Sequence, residues 1–101
     1  MTTLIVLFNL KDAAQRAHYE RWAREVDLPT AGALRSVDKF EVLKASGLLT
    51  GGASPYEYIE ILRINDMAQL GQDVATPTMQ QVSAQFQAFA DNPLFILTQA
   101  L

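Results

Sequence analysis

The tract His18–Pro29, HYERWAREVDLP, gathers the only histidine and the only tryptophan of the chain with Tyr19 and with Asp27, a carboxylate two positions before a proline. Chemistry on a small molecule would start here. An unperturbed imidazole titrates at about pH 6.5, so His18 is a candidate general acid or base; the plainer role is a histidine at the rim of a helix–sheet interface. Tyr19 and Trp22 can pack a core or line an aromatic pocket that stacks on a flat ligand, and the two roles are compatible. Asp27 either aims a carboxylate into a cavity mouth at a helix bend or caps the short helical piece that follows. Further along, Tyr58 and Glu60 share one face of a strand, and Asn9 lies on another strand. Polar groups on central strands must find partners or serve a site. A Glu60 turned inward has its pKa raised by desolvation and can act as a base. Turned toward a subunit seam, it becomes an interface hydrogen-bond or ion-pair residue.

These side chains need elements to hold them. Leu4–Leu10 (LIVLFNL) reads as a strand that is largely apolar on both faces. Asp12 caps a helix, with Gln15 three residues on as in a capping box. The stripe Gln15, Tyr19, Trp22, Ala23, Val26 turns Tyr19 and Trp22 inward. Pro29 ends or bends this helix and suits the first turn of a short piece running to about Leu34. Asp38–Ala45 reads as a second, more exposed strand. Ser46–Pro55 is a loop with three glycines, without the lysine or following helix of a phosphate loop. Tyr56–Ile64 is a third strand, with Tyr56, Tyr58, Glu60 and Leu62 on one face. Asn65-Asp66 caps a further helix, interrupted at Thr76-Pro77, where a restart is capped by Thr76. Met79, Val82, Phe86, Phe89 and Ala90 form its apolar stripe, Asp91-Asn92-Pro93 ends it, and Leu94–Thr98 is the last strand.

The order β-α-β-β-α-β predicts a single α+β domain over residues 1–101, a ferredoxin-like four-stranded antiparallel sheet with its helices on one face. The other sheet face would be an apolar patch, and a twofold homodimer that packs two sheets into a dimeric α/β barrel would cover it. Half of the 101 residues are apolar, enough for a core without staples. Cysteine is absent, which removes disulfides and thiolate catalysis and fits a cytoplasmic protein. No secretory-type leader and no membrane-length apolar run is seen. A net charge of −3 without a Lys/Arg cluster argues against nucleic acid, and one histidine cannot build a multi-histidine metal site within a subunit.

Asp27-Leu28-Pro29-Thr30 after an aromatic helix, the Asn65-Asp66-Met67 helix start and the ending ADNPLFILTQAL from Ala90 to Leu101 resemble the REDY-like/HapK family of small dimeric α/β-barrel proteins over nearly the whole chain. The resemblance implies a part in assembling prodigiosin-type or related pyrrole and indole metabolites: binding, condensing, cyclising or dehydrating an aromatic intermediate without a cofactor. A more distant similarity is to EthD-like proteins, where an aromatic, a second aromatic three residues on, and a histidine two before a proline recur. Tyr19, Trp22, Asp27 and Pro29 fall on that spacing, with Asp27 in the place of the histidine. The expected site is a pocket between sheet and helices lined by Tyr19, Trp22, Tyr58, Phe86 and Phe89, with Asn9 nearby. Asp27 and His18 would move protons there, with Glu60 or Tyr58 assisting. The rival expectation is a non-catalytic binder that shelters or delivers the same hydrophobic aromatic molecule.

Overall fold

The computed structural model describes all 101 residues. Four strands, β1 (Thr2–Leu10), β2 (Val37–Lys44), β3 (Tyr58–Ile64) and β4 (Ala90–Gln99), form one antiparallel sheet in the order β2-β3-β1-β4. That is the ferredoxin-like arrangement, with β1 and β3 central. Alternation sorts the central strands into two faces. Val6, Phe8 and Leu10 of β1 and Tyr58, Glu60, Leu62 and Ile64 of β3 are buried beneath the helices. The register places Val6 opposite Glu60 and Phe8 opposite Tyr58, so Glu60 belongs to the helix-covered layer. The opposite face carries Ile5, Leu7, Ile59 and Ile61, with no element of the chain above it.

The first crossover is more broken than a single amphipathic helix. Asp12 accepts from the Ala14 N–H and caps a 3-10 turn, Ala13–Gln15, which runs into α1 (Arg16–Trp22). A π-helical turn, Ala23–Asp27, follows, and then the short α2 (Leu28–Ala31). Pro29 was expected to end or bend the helix, yet the chain stays helical through it. The wider register removes the conflict, because a proline ring in an α-helix collides with the carbonyl four residues back, and the Leu28 N–H here bonds five back, to Ala23. α2 closes at Gly32, where an added Cβ would run into the Leu28 carbonyl oxygen.

The second crossover follows its capping signals. Asp66 accepts from the Gln69 N–H at 3.1 Å to start α3 (Met67–Asp73), and Thr76 accepts from the Met79 N–H at 3.3 Å to start α4 (Pro77–Phe89). Met79, Val82 and Phe86 are its buried stripe. The last strand begins earlier than expected. Asp91-Asn92-Pro93 does not separate helix from strand; it lies within β4, where Asn92 takes a positive φ of 45° and the pairing with β1 slips between Leu7 and Asn9. Asparagine tolerates that conformation, so the turn chemistry is absorbed as a bulge. β3 starts at Tyr58, two residues later than expected.

Candidate active site

Phe8 is the centre of the core. Its ring stacks on Tyr58 at 5.5 Å and meets Tyr19 and Phe86 edge-on at 5.6 and 5.0 Å. Tyr19 and Tyr58 touch each other at 4.9 Å. Tyr19 is fully buried, and its hydroxyl has no hydrogen-bond partner. Glu60, 6% exposed, is in the same condition: its Oε2 is sealed from solvent and unpartnered. An unpaired buried polar atom costs about 1–3 kcal/mol, so two in one small core call for an explanation.

Asp27 is the third member. The π turn carries it inward, to 6% exposure, and its side chain caps nothing. The capping alternative is thereby removed. Burial alone lifts its pKa to about 6. Burial lifts Glu60 to about 8, and the charge of Asp27 adds to the shift. The Tyr19 hydroxyl is pushed well above its ordinary value, first by burial and then by the charges of Glu60 and Asp27. Burial thus raises all three groups and sets Glu60 above Asp27 within one apolar layer. Carboxyl groups whose environments drive their pKa values apart are suited to divide the roles of base and acid.

A cleft of about 150 Å³ opens beside this cluster, lined by Tyr19, Ala23, Leu28, Val42 and Tyr58 with Glu20, Arg24 and Lys44. Asp27 adjoins the lining residue Leu28, and Glu60 pairs in register with the lining residue Val42. Neither carboxyl is itself part of the cleft lining; each neighbours a residue that is. The mouth is charged: Glu20 accepts from the Tyr58 hydroxyl at 2.7 Å and from Lys44 at 2.9 Å, with Arg24 at 3.6 Å. Lys44 and the Tyr58 hydroxyl bonded to Glu20 hold its carboxyl below the usual range.

The expected pocket lining divides. Tyr19 and Tyr58 line the cleft; Trp22, Phe86 and Phe89 do not. Trp22 is buried, donates to Gln85 Oε1 at 2.8 Å and packs on Phe89, while Phe86 packs on Phe8 and on Phe95. These three fill the core away from the cleft. His18 is exposed outside it, with Nδ1 3.1 Å from Gln15 Oε1 and its ring against Phe89. It lies one step off the Tyr19/Trp22 stripe, and that step turns it to solvent. Asn9 is not at the cleft either: it donates to the Pro55 carbonyl and accepts from the Glu57 N–H, tying the long loop to the sheet. Glu20, Arg24 and Lys44 escaped the sequence. Each reads as an ordinary solvated charge, and only the meeting of α1 and the π turn with the end of β2 joins them. No three His, Asp or Glu side chains are grouped as a metal ion needs.

The family of the REDY-like protein HapK matches residues 2–101. The chain is similar to the crystal structure of HapK from Hahella chejuensis, with 32% identity and a TM-score of 0.80 over 100% of this chain and 93% of that one. An EthD family protein from Bacillus halodurans shares the fold at 16% identity and TM-score 0.77, covering 100% and 99% of the two chains. A dimeric ferredoxin-like protein of unknown function from Thermobifida fusca does so at 12% identity and TM-score 0.75, covering 98% and 90%. No curated protein matches the sequence.

Proposed function

The chain belongs to the REDY-like HapK family, and from that premise we propose that it is an acid–base enzyme acting without a cofactor on an aromatic intermediate of pyrrole or indole secondary metabolism, of the prodigiosin type. The observation that carries the proposal is the pair of buried carboxyls, Asp27 without a capping role and Glu60 with an orphan oxygen, each next to a residue that lines a cleft walled by Tyr19 and Tyr58. Asp27, ionised above about pH 6, is the base; Glu60, protonated below about pH 8, is the acid. Tyr19 and Tyr58 hold the flat ligand, and the Glu20–Lys44 pair fixes the mouth. His18 stays outside the chemistry. The cleft, about 150 Å³ and open to solvent, admits one ring of the substrate, and the remainder lies across the charged rim.

The active particle is a cytoplasmic homodimer. The uncovered sheet face is apolar through Ile5, Leu7, Ile59 and Ile61, with Leu43, Leu94 and Ile96 two-fifths exposed around them. A second copy laid sheet to sheet buries this surface.

Complementation of a host lacking its own copy tests the proposal, with pathway metabolites followed by mass spectrometry. Asp27→Asn is expected to fold and fail to restore the product. If Asp27→Asn and Glu60→Gln both restore it in full, the protein is a binder and not an enzyme.

A further inference from the structure

The mouth of the cleft holds more positive charge than it neutralises. Lys44 stands opposite Tyr58 in the β2–β3 register, and Val42, two residues back on the same side of β2, is cleft wall. Glu20 and Arg24 lie one turn apart on the helical side that also gives Tyr19 and Ala23 to the wall. Three groups converge on the Glu20 carboxylate. Its Oε2 accepts from the Tyr58 hydroxyl at 2.7 Å and from Lys44 Nζ at 2.9 Å, and Arg24 approaches its Oε1 at 3.6 Å. An ammonium has three N–H donors and a guanidinium five, so most donors of the exposed Lys44 and Arg24 point to no protein acceptor. Arg16, at the start of α1, is by contrast committed to Glu57 through both Nε and Nη2. Two cations thus face one carboxylate at the mouth, which keeps one positive charge in excess on a chain whose net charge is −3.

We propose that Lys44 and Arg24 select an aromatic substrate that carries one carboxylate, with the ring inside the cleft and the carboxylate on the two cations at its rim. Resting on the reading of the cleft as the substrate site, this names the class of molecule that enters it. Size and wall chemistry set the apolar part: about 150 Å³ walled by Tyr19, Ala23, Leu28, Val42 and Tyr58 suits one ring. Charge sets the polar part. A neutral substituent leaves the spare donors of the mouth to water, and a cationic one is repelled by Lys44 and Arg24. A phosphate, with nearly two negative charges, exceeds the single positive charge and is repelled by Glu20. One carboxylate balances the mouth, and its two oxygens accept from an ammonium and a guanidinium at once. Glu20 is a positioning residue here. Its Oε2 holds Lys44 at the hydroxyl end of Tyr58, and its own charge competes with the substrate carboxylate for the same donors. Charge complementarity of this kind fixes orientation more than it adds affinity, so the ring enters with its uncharged edge first.

Pyrrole-2-carboxylate and its neutral counterpart pyrrole-2-carboxamide test this on the intact protein, with phenyl phosphate as the more highly charged competitor. Backbone-amide NMR titrations give each affinity and show where each molecule sits. The carboxylate is expected to bind roughly tenfold more tightly than the amide, as two solvent-accessible ion pairs allow, with its largest shifts at Val42, Lys44 and Tyr58. Its affinity falls as salt is raised, because exposed charges are screened, and that of the amide does not. Lys44→Met and Arg24→Gln, both at exposed positions, each cut the preference about threefold, and the double variant abolishes it with the amide still bound. Glu20→Gln removes the competing charge and tightens the carboxylate about threefold, a gain that loss of packing does not produce. Equal affinity for carboxylate and amide, or a preference that survives the double variant, overturns the carboxylate selection and leaves the cleft as the substrate site. Phenyl phosphate binding the wild type more tightly than the carboxylate overturns the single-charge assignment. Failure of carboxylate and amide alike to shift Val42 and Tyr58 sinks the aromatic cleft, and this proposal with it.

Discussion

Asp27 and Glu60 trade stability for reactivity at the scale of single residues. Burial raises both in the folded chain above unfolded values of about 3.9 and 4.3, so the folded state binds more protons over that interval. The stabilisation that follows is fully present below about pH 4, and it is lost as pH rises through about 6 for Asp27 and about 8 for Glu60. Each group steepens the loss toward about 1.4 kcal/mol per pH unit within its window. Thermal melts are therefore expected to fall steadily from pH 5 to pH 9, and Glu60→Gln to flatten the upper part of that decline and melt higher than the wild type at pH 9. The pH–rate profile should be a bell with limbs at about 6 and 8. Both carboxyls were visible in the sequence: one by its place before a proline, the other by its alternation on a central strand. What the sequence withheld was the side of the sheet, since Tyr58/Glu60 and Ile59/Ile61 are each compatible with a covered face until the helices are placed. His18 misled because a lone imidazole near an aromatic stripe looks reactive, and one helical step decides whether it is buried.

Among the elements, the π turn matters most. It lets the chain pass Pro29 without leaving the helix, and it delivers Asp27 to the core at the same point. Single-turn widenings of this kind recur at functional sites. Their sequence signature is faint, because the phase of the Tyr19, Trp22, Ala23, Val26 stripe looks the same in an α-helix. The caps were easier to read: Asp12, Asp66 and Thr76 each make the bond their residue type promises. α2 ends against Gly32, whose missing Cβ gives room to the Leu28 carbonyl. Gly32→Ala is expected to destabilise by about 1–3 kcal/mol and to lower the melting temperature by several degrees, with a loss of activity through displacement of Leu28 and Asp27. A melting curve and a turnover assay on the one variant check both; an unchanged melt would show that α2 is free to shift.

Over the whole molecule, the fold was legible because the order of elements and the two-faced apolar strands leave few alternatives. The sheet that roofs the site on one side is bare on the other, where β4 sets Leu94 and Ile96, about two-fifths exposed, beside Leu7 and Ile5. Single hydrophobic residues at a surface are ordinary, but a contiguous sheet face is an association site. Light scattering after size exclusion is expected to give twice the chain mass at micromolar concentration, and Ile61→Lys, at the middle of the face, to give the monomer. A wild-type monomer at that concentration contradicts the sheet-to-sheet dimer. The cleft, bounded by α1, the π turn and β2 within one copy, should persist in the monomeric variant.

The central claim is that one buried carboxyl is a base and its neighbour an acid at neutral pH, and carbon-13 NMR of the Asp and Glu side-chain carboxyls, titrated from pH 3 to pH 10, tests it most directly. Asp27 is expected to titrate near 6 and Glu60 near 8, with the Glu60 signal absent in Glu60→Gln. Midpoints for both near the ordinary carboxylate range of about 4 would contradict the account.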